Sequence, residues 1–215
     1  MIDEKDKIKL TKAKTSYLFL KRIVDCLFAL TGLILLSPVF LLIMLLIKIE
    51  DPKGPVFFKQ LRSGKNGEEF YMYKFRSMCV DAESKLEALL HQSDVEGAMF
   101  KMKDDPRVTK IGRFIRKTSL DEFPQLVNVL KGEMSLVGPR PPLPREVRQY
   151  TSRDKQRLLV TPGCTGLWQV SGRNNLSFEE MIELDLKYIS NLSLMNDMKI
   201  LVKTVKVVVK NEGAY

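Results

Sequence analysis

Read as a pattern of apolar and polar positions, the chain changes character near residue 50. From Cys26 to Ile47 no residue carries a charge, and roughly 22 helical residues are long enough to cross the hydrocarbon of a bilayer. Leu, Ile and Phe occupy every side of that helix, which disfavours a half-polar core helix of a soluble protein. Ser37-Pro38 falls in the middle of the run, and proline removes an N–H and crowds the preceding turn, so a break is predicted there. Lys5, Lys7, Lys9, Lys12, Lys14, Lys21 and Arg22 precede the run and Lys48, Lys53, Lys59 and Arg62 follow it, so the positive-inside tendency draws both ends to the cytoplasm. A helix-break-helix hairpin that enters and leaves the same leaflet satisfies both demands; a bent spanning helix is the alternative. Lys48-Ile49-Glu50-Asp51-Pro52 offers no small-residue cleavage site, which argues against a signal peptide. At the mouth of the segment, the spacing of Lys21, Arg22 and Asp25 lets the carboxylate face both cations, predicting an interfacial ion pair that fixes the depth of the hairpin.

Beyond the run the pattern is that of a small mixed domain. Two aromatic-rich stretches, Pro55 to Leu61 and Glu69 to Phe75, flank Ser63-Gly64-Lys65-Asn66-Gly67, and Asn-Gly favours a tight reversal, so a β-hairpin is predicted. Gly64-Lys65 lacks the glycine spacing and the Ser/Thr of a phosphate-binding P-loop. Residues 81–98 show a short helical pattern (Ala82, Leu86, Leu89, Leu90) running into a polar linker, and Asp104-Asp105-Pro106-Arg107 reads as a solvated turn. Ser119 followed by Glu122 has the form of a capping box and Gly132 of a C-terminal stop, predicting a helix of about three turns with Asp121 and Glu122 in its first turn, where the dipole favours their ionised forms. Thr161 to Arg173 is a glycine-punctuated stretch holding the single tryptophan, Trp168, either a buried turn or a binding loop. A second capping box, Ser177 with Glu180, starts a C-terminal helix carrying Glu183, Asp185, Lys187 and Tyr188. Lys199, Lys203, Lys206 and Lys210 then recur among Ile, Leu and Val, as in a helix lying on an anionic leaflet, although a core-packed helix or a strand through Val205 to Val209 fits the same pattern.

Composition narrows the chemistry. The 215 residues are 45% hydrophobic and 28% charged, which suits one compact domain plus an anchor. A net charge of +9 calls for an anionic partner: nucleic acid, an anionic bilayer or a phosphorylated substrate. Three scattered cysteines, Cys26, Cys79 and Cys164, argue against a disulfide framework and for a reducing compartment. The sole histidine, His91, lies in a polar stretch and reads as a solvated residue, so catalysis here rests on carboxylates, lysines and arginines.

Asp121 and Glu122 next to Arg113, Arg116 and Lys117 allow two readings. In the plainer one Glu122 closes a cap, Asp121 complements a helix dipole and the cations form a solvated strip. In the sharper one a carboxylate nucleophile and a metal-ligating carboxylate sit beside arginines that neutralise phosphates. Gly138-Pro139-Arg140-Pro141-Pro142 favours the latter, because prolines on both sides stiffen the backbone of an arginine whose planar guanidinium suits a phosphate or a base carbonyl.

Together these motifs resemble the monotopic phosphoglycosyl transferases, bacterial sugar transferases that start lipid-linked glycan assembly. The resemblance runs from Lys21 to Tyr215 and rests on Lys21-Arg22-x-x-Asp25, Ser37-Pro38, Tyr73-Lys74-Phe75-Arg76-Ser77-Met78, Thr118-Ser119-Leu120-Asp121-Glu122, Gly138-Pro139-Arg140-Pro141 and Pro162-Gly163-x-Thr165-Gly166. The ending Asn211 to Tyr215 and the insert near residues 82–106 are similar to the longer exopolysaccharide-type members, which often carry additional N-terminal membrane helices and a further domain. The chain is thus expected to be either a short member or the catalytic part of a longer one. The resemblance implies an α+β, mostly helical fold: a basic segment over 1–20, a re-entrant membrane hairpin over 21–49 anchored by Lys21, Arg22, Asp25, Ser37 and Pro38, and a cytoplasmic catalytic domain over 50–215 with a β-hairpin and amphipathic interfacial helices. It also implies a two-step transfer of a sugar 1-phosphate from a UDP-sugar to polyprenol (undecaprenyl) phosphate at the cytoplasmic face of the bacterial inner membrane. Asp121 would attack the β-phosphate and release UMP, Glu122 would hold Mg²⁺, and Lys74 and Asp185 would be polar residues needed for activity. Arg116 and Arg140, with Arg113, Pro139 and Pro141, would bind the nucleotide or phosphates. Glucose or galactose is the expected sugar, ahead of N-acetylated ones. Membrane lipids and a second copy of the chain are the other expected partners, and nucleic acid is not. A non-catalytic, membrane-anchored basic module binding anionic lipid or nucleic acid is the alternative; it predicts tolerance of Asp121→Asn. A glycosyl transferase that leaves the phosphate behind would release UDP.

Overall fold

In the computed structural model, which describes residues 15–82, 84–85, 102, 105–172 and 176–209, the long apolar run is two helices, α1 (Thr15–Leu35) and α2 (Ser37–Glu50), bent by 59°. Pro38 lies in the first turn of α2 and has no N–H for the carbonyl of Ile34. The Ser37 hydroxyl donates to that carbonyl instead, at 2.8 Å, so this acceptor is not left stranded. Neither helix alone is long and apolar enough to cross a membrane; the bent pair together is, by length and composition. Its outer side is strongly apolar, with Phe19 and Leu35 each about 70% exposed.

The inner side of α1 carries Lys21, Asp25 and Ala29, spaced four apart and all buried. The predicted Lys21–Asp25 pair forms, at 3.9 Å, but Arg22 does not join it. Arg22 turns away from Asp25 and donates to the carbonyls of Val129 and Leu130, where the unsatisfied C-terminal carbonyls of a later helix attract a cation. Lys21 lies 3.9 Å from Asp25 but 2.9 Å from Asp197, and Asp25 accepts from the Leu136 N–H at 3.2 Å. Long-range partners outcompete the local spacing, so this face bonds α1 to the rest of the protein.

The β-hairpin forms as expected, β1 (Phe57–Ser63) antiparallel to β2 (Glu69–Phe75), with Phe57 opposite Phe75 and Ser63 opposite Glu69. Asn66 and Gly67 take the positive φ angles of the turn. Period-two alternation sends Phe70 and Met72 into one core with Ala29, Val129 and Met134, and Phe75, on the other face, into a second core with Ile43, Ile47 and Ile115. Lys74 shares the face of Phe70 and Met72 and extends that row past the core.

Helix α3 (Lys110–Lys117) follows, capped by the Thr109 side chain, which accepts from the Gly112 N–H. A Cβ at Gly112 would come within 1.9 Å of the Ser77 carbonyl oxygen, so only glycine lets α3 lie this close to the exit of β2. Next, the predicted three-turn helix from Ser119 does not form. Ser119 is in the left-handed region (φ 56°) without a side-chain cap, residues 120–122 make one 3₁₀ turn, and the helix proper, α4 (Gln125–Lys131), begins after Pro124. Pro124 has no N–H for the carbonyl of Leu120, so a continuous helix would lose a bond and clash there. Gly132 ends α4 with φ 86°, as predicted. Asn128, fully buried within α4, accepts from the Tyr73 N–H and donates to the Tyr71 carbonyl and to Glu133, taking the place of a neighbouring strand along the outer edge of β2.

Strand β3 (Ser135–Val137), the short helix α5 (Pro144–Val147) and strand β4 (Gly163–Thr165) come next, with β3 and β4 parallel. A Cβ at Gly163 would stand 2.0 Å from the Gly138 nitrogen, so the strands meet only because that position is glycine. Helix α6 (Phe178–Ser190) starts with the predicted Ser177–Glu180 capping box, and α7 (Leu194–Val209) is helical through the stretch that also read as a strand. Val137, Tyr188, Ile189 and Ile200 form the third core. Beside it Asp197 accepts from Tyr17 at 2.8 Å and Lys21 at 2.9 Å, and the Tyr188 hydroxyl lies 2.8 Å from its other oxygen. Asp105, read as part of a solvated turn, is buried in a forked ion pair with Arg107, whose Nη1 also reaches the Ala82 carbonyl. His91, Asp104, Lys210, the segment 1–14, the ending 211–215 and most of the 81–98 helical pattern lie outside the described residues. The architecture is mostly helical, with two two-stranded ladders.

Candidate active site

The 3₁₀ turn at 120–122 brings two carboxylates to the end of the Phe70–Met72–Lys74 row. Lys74 Nζ is 2.7 Å from Glu122 Oε1. Asp121 is only 7% exposed, and burial pushes its carboxyl up to about 6, against the pull of Lys74 and, more weakly, Arg116. Glu122 adds to the rise, as a second negative charge must. The site is thus a buried carboxylate with a neighbouring carboxylate and two cations around it, presented by a backbone that includes a non-glycine residue in the left-handed region. Such strained positions concentrate where a side chain must be aimed. The dipole reading of the sequence is corrected: no helix starts at Ser119, and desolvation governs Asp121.

The second half of the site is the loop 138–142. Pro139 and Pro141 are buried, and each carbonyl from Pro139 to Pro142 has a donor: Gly163 N–H, Arg157, Arg62 and Ser63 N–H in turn. The prolines therefore hold the loop, and with it Arg140, which is half-buried. Arg62 lies within electrostatic reach of Arg140, Glu146, Glu122 and Arg145, and burial lowers its own pKa to about 9. Arg140 and Glu122 thus border the same arginine. Arg113 is exposed one turn before Arg116 on α3, at the margin of the site.

Asp185 does not join the Asp121 pair. It is fully buried on α6, bonded to Arg157, which also donates to the Tyr150 hydroxyl at 2.7 Å and to the Arg140 carbonyl at 3.3 Å. Burial pushes the Asp185 carboxyl up to about 6, with Arg157 and Arg140 opposing. Asp185 therefore supports Arg140 from behind.

Arg62, named only as a charge flanking the apolar run, and Arg157 and Asn128 were not picked out from the sequence as site residues. A polar residue inside an apolar run was the available signal: Asn128 interrupts Leu126 to Leu130, and Arg157 precedes Leu158-Leu159-Val160.

Among the described residues no three His, Cys, Asp or Glu side chains meet to form a complete metal cage. Magnesium does not need one: it binds through one or two carboxylates and keeps waters and substrate phosphate oxygens in its remaining positions. The adjacent carboxylates of Asp121 and Glu122 would suit such partial coordination.

The model of the bacterial sugar transferase family matches residues 16–211. The chain is 51% identical over 94% of its length to a galactosyl transferase CpsE of Streptococcus agalactiae, and 47% identical over 94% to an undecaprenyl-phosphate galactose phosphotransferase of Salmonella typhimurium. It spans 44% and 43% of those two proteins, less than half of each. It is also 42% identical over 91% of its length to the exopolysaccharide production protein ExoY of Sinorhizobium fredii, of which it covers 88%.

Proposed function

The chain belongs to the bacterial sugar transferase family, and from that premise we propose that it moves a sugar 1-phosphate from a UDP-sugar to undecaprenyl or a related polyprenol phosphate. The observation that carries the proposal is the buried Asp121 carboxylate, poised to ionise near neutral pH between Lys74 and Arg116. A carboxylate stripped of water and held among cations is a competent oxygen nucleophile toward phosphorus. In the first half-reaction an Asp121 oxygen bonds to the β-phosphorus of the donor, the bond from that phosphorus to the bridging oxygen breaks, and UMP leaves. In the second, an oxygen of the polyprenol phosphate attacks the same phosphorus, the bond to Asp121 breaks, and the product is a polyprenol diphosphate sugar. Lys74 balances the paired carboxylates. Arg116 and Arg140, with Arg113 at the rim, neutralise phosphate oxygens, and Asp185 acts through Arg157 to hold Arg140 in place. Magnesium, held by Glu122 with Asp121, would offset charge on the diphosphate.

The bent α1–α2 pair is the re-entrant anchor of this reading. Its charged ends stay at the cytoplasmic face of the bacterial inner membrane, where a lipid phosphate and a soluble nucleotide sugar both reach Asp121. UDP-galactose, in keeping with the names of two relatives, and UDP-glucose are the first donors to test.

The test is nucleotide release from a panel of UDP-sugars by nanodisc-held protein with magnesium and undecaprenyl phosphate. UMP from one or two sugars supports the proposal; UDP would mean glycosyl transfer, and no release across the panel from folded protein would sink it. The pH dependence gives a second check. Asp121 attacks only when ionised, so UMP release should rise with pH through a midpoint near the value of about 6. Lys74→Met removes the cation that lowers this pKa, so the midpoint should move to higher pH while the plateau rate falls about 10²-fold or more. An unmoved midpoint would separate Lys74 from Asp121.

A further inference from the structure

An open groove of about 700 Å³ lies between α6 and α7, and none of Lys74, Arg116, Asp121, Glu122 or Arg140 lines it. Lys187 on α6 and Lys199 and Lys203 on α7 line it together with Leu167, Leu192 and Met195. No carboxylate lines the groove, and among the described residues none of the three ammonium groups forms a salt bridge. Three lysines lining one concavity, with no salt bridge among the described residues, favour an anion there.

The surface beside the groove says which kind. On α7, Met195, Met198, Val202 and Val205 are exposed, at 66%, 44%, 51% and 63%. Their spacing of three, four and three residues makes one apolar stripe. Lys199, Lys203 and Lys206, also exposed, run parallel to it one step around the helix, and Asp197 and Ile200 face inward. Asp197 is bonded to Tyr17 and Lys21, so the stripe begins beside the first turns of α1, whose outer side exposes Leu18, Phe19 and Ile23. A soluble phosphate would fill the lysine groove and leave the apolar stripe in water. A phospholipid satisfies both, with its phosphate among the lysines and its acyl chains along the stripe.

We infer that the α6–α7 groove is a seat for the headgroup of an anionic membrane phospholipid, separate from the site of phosphate transfer. The inference rests on the membrane placement proposed above. Its consequence is that the cytoplasmic domain is oriented on the leaflet by a second, lipid-selective contact in addition to the hairpin.

Trp168, the only tryptophan, directly follows Leu167 of the groove wall and reports on it. In phosphatidylcholine nanodiscs, phosphatidylglycerol brominated on its acyl chains should quench Trp168 at about fivefold lower mole fraction than brominated phosphatidylcholine. Combined Lys187→Gln, Lys199→Gln and Lys203→Gln should erase that difference and leave quenching by phosphatidylcholine unchanged. The single exposed change Lys199→Glu should reduce the difference. Equal quenching by both lipids in the parent, or a preference that survives the triple change, would overturn the inference. Binding of inorganic phosphate in lipid-free detergent, with no preference for phosphatidylglycerol in nanodiscs, would show a seat for free phosphate and overturn the lipid assignment. UMP release in detergent without phosphatidylglycerol is read separately: the triple variant should retain it, so loss of lipid preference and failure of the transfer reaction are told apart.

Discussion

Asp121→Asn should lose sugar-phosphate transfer by about 10⁴-fold or more and yet unfold at a higher temperature than the parent protein. Asparagine nearly preserves the shape of aspartate, but its amide cannot form the covalent bond to phosphorus. The stability gain follows from the same burial that activates the carboxylate. In the unfolded chain an aspartate gives up its proton near the ordinary value of about 4; in the folded protein Asp121 keeps it to about 6. Between those two values the unfolded state is the one that deprotonates, so folding stability falls as pH rises and stays reduced above the folded value. A shift of this size corresponds to about 3 kcal/mol at neutral pH. Removing the charge should recover about 1–3 kcal/mol there and nothing below about pH 4, which thermal unfolding in detergent at the two pH values will measure. An inactive variant less stable than its parent would mean that Asp121 is a structural residue. Full activity in Asp121→Asn would favour a membrane-bound basic module without covalent chemistry.

Asp185→Ala should cost about 3–5 kcal/mol, because it leaves the Arg157 guanidinium buried without its counter-charge. The loss would reach the active site through Arg157, which bonds both Asp185 and the Arg140 carbonyl, and through the direct attraction between Asp185 and Arg140. Pairing Asp185→Leu with Arg157→Met tests whether these routes matter. Two apolar side chains should recover most of the stability, since a buried ion pair contributes little net once both charges are gone. They cannot restore the bond to the Arg140 carbonyl. The double variant should therefore be folded but show a raised KM for the nucleotide sugar, with kcat changed less. Recovery of both stability and KM would confine Asp185 and Arg157 to structural support.

The legible parts of this chain were those set by neighbours in sequence. Pro38 forces a break wherever the helix goes, Asn66-Gly67 accepts the positive φ angles a hairpin turn needs, and Ser177 with Glu180 closes its cap within one turn. Ser119 with Glu122 carries the same cap pattern and fails because Pro124 cannot extend a helix begun there, so the same local pattern gives opposite outcomes in different contexts. The bonds of Arg22 to Val129 and Leu130, of Asp25 to Leu136, of Asn128 to Tyr71 and Tyr73, and of Arg157 to Asp185 reach far along the chain, and no spacing rule finds them. Of the candidate site, the carboxylate pair and Arg140 stood out by residue type. That Lys74 would meet Glu122, and that Asp185 would lie behind Arg140 and away from Asp121, depended on how β2 and α6 pack.

The bonds from Tyr17 and Lys21 to Asp197 join residues 180 and 176 positions apart. Helix α1 leaves the ribosome long before α7 exists, so Lys21 has no counter-charge at Asp197 until α7 has been synthesised. Closure of α1 against α7 therefore waits on a contact of very high sequence separation. Until it occurs, the inner face of α1 that carries Lys21 is open.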